Sequence, residues 1–147
     1  MKMKKLTPLL MLVLFLSACA TKKVFMAPNN NFRQYQNAYV EFLPVDEFNL
    51  GPVIVAELSS LGLNVYGKPL PAESSALDLQ VKYTYTASWN MVKFLKSAHI
   101  IFSDAQTGVV LSTLSYNTPG AFTDGFSKYN SEARIHDVFE EFRNQLK

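Results

Sequence analysis

Strict alternation is longest at Leu77–Thr86, where Leu77, Leu79, Val81, Tyr83 and Tyr85 are apolar and the residues between them are polar. Period two over this length predicts a strand with one face on a core and the other in water, as in antiparallel sheets. The apolar series continues through Ala87 to Trp89. Earlier, Ala38, Val40 and Phe42 alternate with Tyr39 and Glu41 in a strand from about Gln36 that Pro44, Asp46 and Glu47 end. Asn64–Tyr66 reads as a short strand, and Ala98–Ser103 and Val109–Tyr116 as two more. Between these last two, Asp104 suits the first position of a type I turn, and Gly108 suits the left-handed residue that closes a short hairpin.

Two stretches switch to helical spacing. Leu50, Val53, Ile54, Leu58 and Leu61 predict an amphipathic helix over Phe48–Ser60, with Asn49 as its amino-terminal cap and Gly62 as its stop. Ile135, Val138, Phe139, Phe142 and Leu146 form one stripe of a second helix from about Ser131. There Glu132 comes early and Arg143 and Lys147 late, where the helix dipole favours each sign. The order β-α-β-β-β-β-α predicts an α+β two-layer sandwich, a mostly antiparallel sheet of about five strands with two helices on one face. The first strand, the first helix and the second strand form a candidate parallel unit with a right-handed crossover.

The amino-terminal segment has a different order: basic, apolar, then small. Lys2, Lys4 and Lys5 precede an apolar run from Leu6 to Leu16, and Ser17 and Ala18 follow. That is the layout of a secretory signal. A spanning helix needs about 20 apolar residues, about twice the length of this run. The segment closes on Leu16-Ser17-Ala18-Cys19, and Cys19 is the only cysteine of the chain. With no second cysteine an internal disulfide is impossible, and a free thiol is a liability in an oxidising compartment.

Leu16-Ser17-Ala18-Cys19 resembles the lipobox of bacterial lipoproteins. The resemblance implies cleavage between Ala18 and Cys19, a diacylglyceryl group on the Cys19 thiol and usually an acylated new amino end. Residues 1–18 are then a lipoprotein signal peptide, and two or more acyl chains hold a protein stably on a membrane without crossing it. Ala20 follows the cysteine where enterobacterial lipoproteins kept in the inner membrane carry an Asp. The resemblance therefore implies the periplasmic face of the outer membrane more than the inner membrane.

Residues 19–35 read as the lipidated cysteine and a flexible tether, because Pro28 and the run Asn29–Asn31 favour turns over packing. Residues 36–147 read as a single domain. The signal holds three of the 14 Lys and Arg and none of the 12 acids, so the mature chain carries 11 bases against 12 acids, a net charge of −1. No basic patch points to nucleic acid. The layout of residues 36–146, with its Asp-x-x-Thr-Gly hairpin, resembles small periplasmic lipoprotein domains of unknown function. It also resembles the α/β modules of the curli secretion lipoprotein and of the amino end of the Tol–Pal translocation protein. This resemblance is to architecture and one turn, and it carries no site across.

Candidate chemistry is sparse. His99 and His136 have no ligand-spaced partners, so no metal site is expected, nor any cofactor. No Gly-x-Ser-x-Gly elbow and no Gly-rich phosphate loop occur. Two features suit recognition of an envelope protein partner. One is the loop Tyr116–Phe126, whose Phe122 and Phe126 either bind or fold back to cap the core. The other is the aromatic set Tyr83, Tyr85, Trp89 and Phe94, which core packing explains unless Met91–Leu95 forms a protruding hairpin tip. The reading reached is a non-catalytic interaction or accessory module of an envelope assembly, with Trp89, Phe94, Phe122 and Phe126 as candidate partner contacts. The alternatives are a small envelope hydrolase drawing on Ser103, His99 and Asp104, or a carrier of a small apolar ligand.

Overall fold

A computed structural model describes residues 20–28, 31–67, 79–90, 92–118 and 130–147. Its strands are β1 (Thr21–Met26), β2 (Asn37–Glu41), β3 (Asn64–Tyr66), β4 (Leu79–Asn90), β5 (Val92–Asp104) and β6 (Val110–Asn117). Its helices are α1 (Leu50–Ser60) and α2 (Ser131–Gln145), with a 3-10 turn at Phe32–Gln34. The strands form one sheet in the order β1-β6-β5-β4-β2-β3. β4, β5 and β6 are the expected antiparallel meander, and β2 lies parallel to both β3 and β4. The fold class is α+β, with one strand more than the sequence pattern discloses.

Alternation in β4 sets the register of the core. Val81 faces Phe102 and Tyr83 faces Ile100 across β4–β5, while Ile100 faces Leu114 across β5–β6. All five side chains are buried. The stripe Ile135, Val138, Phe139 and Phe142 of α2 and the side chains Leu50, Ile54 and Leu58 of α1 belong to the same core cluster. Phe102 stacks on Phe142 with centroids 5.3 Å apart, and Phe32 meets Phe142 edge-on at 4.9 Å. Such pairs add to the area that the rings bury.

Phe32 belongs to the stretch that reads from sequence as a tether, and that reading is corrected here. Thr21–Met26 pairs antiparallel with β6, from Thr21 opposite Asn117 to Met26 opposite Ser112. The 3-10 turn then places Phe32 in the core at 5 % exposure. The run Thr21-Lys22-Lys23-Val24-Phe25-Met26 does not alternate, so its own pattern hides the strand. The backbone of β6 supplies the partner for it. Ser112 Oγ donates to the Phe25 carbonyl at 2.7 Å, and Lys22 reaches Asp137 on α2 at 3.4 Å.

The cap of α1 also differs from expectation. Asn49 takes a left-handed backbone, φ 52°, and its side chain caps nothing. Asp46 does the work instead, its Oδ2 accepting from Gly51 N at 2.8 Å. An acidic acceptor suits this position for the same dipole reason as an Asn cap. Gly62, φ 88°, ends the helix as expected, and Gly108, φ 71°, closes the β5–β6 turn.

Candidate functional site

The β4–β5 hairpin runs past the rest of the sheet. Thr86 faces Ser97, Ser97 faces Asn117, and Asn117 faces Thr21, so these four residues form a row across β4, β5, β6 and β1. Beyond that row Thr118 N still donates to the Lys96 carbonyl at 2.9 Å, and the hairpin runs on with Ala87 opposite Leu95 and Trp89 opposite Lys93. A register shift between Thr86 and Ala87 marks where the hairpin leaves the sheet. Ala87–Asn90 carries the tip about 13 Å beyond the row, at the usual rise of about 3.3 Å per residue.

Trp89 is 72 % exposed at this tip and Val92 is 45 % exposed. Core packing does not hold for Trp89; its exposure fits the other reading, a protruding hairpin tip. Phe94 goes the other way. It is only 3 % exposed, so it offers no accessible contact, and the reading of Phe94 as a partner-binding residue is corrected. Phe122 and Phe126 lie outside the described residues, as do Ala18 and Cys19.

The hairpin is braced at its base by the Phe42–Asn49 loop. Tyr85 Oη accepts from Glu47 N at 3.1 Å, and the Phe48 ring meets Tyr85 edge-on at 5.4 Å. Lys93 pairs with Glu47 at 2.6 Å. Tyr83 donates its hydroxyl to Asp46 Oδ2 at 2.8 Å and accepts from Leu43 N at 3.3 Å. Burial, with the Asp46 carboxylate beside it, pushes the Tyr83 hydroxyl up to about 12. The sequence signal for this brace is the pair of tyrosines in alternating register, whose hydroxyls hold the loop in addition to packing.

The sheet face away from the helices is uncovered by any described element, and it carries a group of hydroxyls together with the exposed Phe25 and Val110. Thr86 and Ser97 hydroxyls lie 2.7 Å apart, and His99 Nδ1 lies 3.0 Å from Ser115 Oγ. A recess of about 370 Å³ there is lined by Thr21, Lys23, Ser97, His99, Ser115 and Asn117. Ser103 and His99 share this face, but Asp104 does not join them. It lies five residues along β5 from His99, about 16 Å away. Its carboxylate holds the turn, accepting from Thr107 N at 2.7 Å, Thr107 Oγ1 at 2.9 Å and Gln106 N at 3.0 Å. These bonds, chiefly those from Thr107, hold Asp104 below the usual carboxylate range. The fold does not assemble Ser103, His99 and Asp104 into one site.

The second histidine lies at the seam between the helices. His136 Nδ1 is 2.8 Å from Glu57 Oε1, and Arg143 holds the other carboxylate oxygen while also donating to Ser60 Oγ at 2.6 Å. Glu57 is nearly buried, a charge made tolerable by the Arg143 guanidinium and the His136 hydrogen bond. Sequence reading missed it, because one Glu among apolar helix residues looks like any solvated position. A recess of about 360 Å³ lies where the 3-10 turn meets the α1–β3 turn and Leu146, lined by Phe32, Arg33, Tyr35, Leu61, Leu63 and Leu146. Among the described residues no cluster of His, Cys, Asp and Glu could hold a metal ion, and no helix is long and apolar enough to cross a membrane.

No protein-family model and no curated protein matches the chain. Solved structures do. The chain is similar to the PelC dodecamer from Paraburkholderia phytofirmans, at 15 % identity and a TM-score of 0.55, covering 82 % of this chain and 95 % of that one. A leucine-to-methionine variant of the same dodecamer gives 12 % identity and a TM-score of 0.51, covering 82 % and 94 %. At these identities the likeness shows the fold, over nearly the whole of PelC.

Proposed function

With the PelC fold as the premise, we propose that this chain is a periplasmic lipoprotein and a non-catalytic subunit of an envelope assembly that it forms with copies of itself. Acylated Cys19 ties it to the membrane, and Ala20 after the cysteine favours the periplasmic face of the outer membrane. The observation that carries the proposal is the fold shared with a protein solved as a dodecamer, covering 95 % of that protein. Two features of this chain support it. The sheet has one face uncovered by the described helices, and its hydroxyl-rich surface suits a wet, polar interface between subunits. The constellation of Ser103, His99 and Asp104 considered for a hydrolase is dispersed, and no described geometry favours that alternative.

The test is photocrosslinking in intact cells, with photoreactive residues at Thr84 and His99 on the open face. Adducts between copies of the chain are the expected result. Adducts with other envelope proteins alone would make it an accessory subunit rather than a self-assembling one. No protein adduct at either position would overturn the proposal.

A further inference from the structure

The geometry points to the β4–β5 hairpin tip as a second membrane contact, with Trp89 seated in the headgroup region of the bilayer that holds acylated Cys19. This inference rests on the lipid-anchor reading above and adds a site that the reading does not contain.

Three observations carry it. First, the anchor and the tip lie at the same end of the sheet. Thr21, the first residue of β1, shares the cross-sheet row with Thr86 and Ser97, from which the hairpin departs. Second, no spacer is left between the anchor and the fold. Cys19 stands two residues before Thr21, a reach of at most about 7 Å even when fully extended. The tip extends about 13 Å beyond the same row, about 6 Å farther than the anchor reaches. With the strands upright, the tip therefore meets the lipid before the anchor is taut. Third, the chemistry of the tip suits an interface. Trp89 and Val92 expose apolar surface, while Lys96 is exposed on the same hairpin. An indole with an apolar body and a polar N–H prefers the boundary between headgroups and acyl chains, and lysines reach the headgroups from there. Interfacial segments seat about 5–10 Å into that boundary, which covers the excess reach of the tip.

Partition of a tryptophan and a valine is worth little alone. Beside a lipid anchor it acts intramolecularly, so a weak contact is enough to fix the tilt of the domain on the membrane. The braces from Glu47 to Lys93 and from the Phe42–Asn49 loop to Tyr85 keep the hairpin projecting rather than folded back.

Trp89 is the only tryptophan of the chain, so its fluorescence reports this tip alone. The experiment reconstitutes the mature protein, with intact mass reading the acyl chains on Cys19, into phosphatidylcholine vesicles brominated at defined acyl carbons. The expected result is an acylated chain whose emission is shifted to the blue and quenched most by bromines nearest the headgroups. An acylated chain with water-like, unquenched emission would overturn the tip contact and leave the anchor standing. Blue-shifted but unquenched emission would also overturn it, assigning Trp89 to a contact between proteins. A mature chain with no acyl mass would overturn the anchor reading, and this inference with it.

Discussion

His136 Nδ1 lies 2.8 Å from Glu57 Oε1, and this bond ties α2 to α1 across the helix seam. Hydrogen bonding to Glu57, and then its charge, raise the His136 imidazole above its usual value, with Glu140 adding to the effect and Arg143 opposing it. A raised imidazole contributes its stability in full below the unfolded-state value of 6.5. The contribution is lost as pH rises through the higher folded-state value. Midpoints of urea unfolding should therefore fall as pH climbs from below 6.5 through the raised value. The fall should be absent in His136→Gln, and a wild-type curve as flat as the variant's would refute the linkage.

Glu57 itself is the costlier residue to lose, because its removal leaves the Arg143 guanidinium facing the seam without its carboxylate. Breaking a buried ion pair from one side costs about 3–5 kcal/mol, and this one, open to solvent on the His136 side, should fall near the lower figure. Glu57→Ala is expected to show that loss in equilibrium unfolding at neutral pH. A change below about 0.5 kcal/mol, the size of an ordinary surface substitution, would contradict it.

Gly51 has no room for a side chain. A Cβ there would stand 2.3 Å from Phe42 Cδ1 and 2.8 Å from the Tyr83 hydroxyl. Alanine normally gains about 1 kcal/mol over glycine inside a helix. Overpacking costs about 1–3 kcal/mol, so the clash wins and Gly51→Ala should destabilise. Because Phe42 is partly exposed and can be trimmed, Gly51→Ala combined with Phe42→Ala should be less destabilised than additivity requires. Strict additivity in the double-mutant cycle would count against the contact.

Phe32 distinguishes an ordered amino-terminal segment from a spacer. It is 5 % exposed and meets Phe102 and Phe142 edge-on. Truncation of a buried phenylalanine costs about 3–5 kcal/mol, so Phe32→Ala should be among the more damaging single changes. In a flexible tether the same substitution would leave the unfolding midpoint unmoved.

Tyr83 gives an alkaline signature. With its hydroxyl pushed up to about 12 from the ordinary 10.0, the native state holds that proton more tightly than the unfolded chain. Its contribution is present below pH 10 and is lost as pH rises toward 12. Tyr83→Phe should remove this alkaline loss. It should also cost about 1–3 kcal/mol at neutral pH, since Asp46 Oδ2 then loses a buried donor.

The parts legible from sequence are those where one face of an element is apolar and the other polar. β4 and α2 show this plainly, and the turn Asp104–Gly108 shows it through residue types that only a few turn conformations favour. β1 was hidden because its pairing comes from the backbone of β6 and its side chains follow no period. For Trp89 the sequence left core packing and a protruding tip both open, because alternation reports which face a residue takes and not whether that face is covered; its exposure fits the tip. Phe94 shows the converse, an aromatic near a hairpin tip that is buried all the same. Glu57 could not be found, since the partners that make its charge tolerable lie about eighty residues away in the chain. The resemblance of Leu16–Cys19 to a lipobox is legible because such a motif is local and needs no fold.

The central claim is a lipid-anchored chain that assembles with itself. Native mass spectrometry of the protein extracted from membranes in mild detergent tests both halves at once. A complex of several copies, each starting at Cys19 and carrying the mass of its acyl chains, is the predicted result. A monomer without acyl mass would contradict the account.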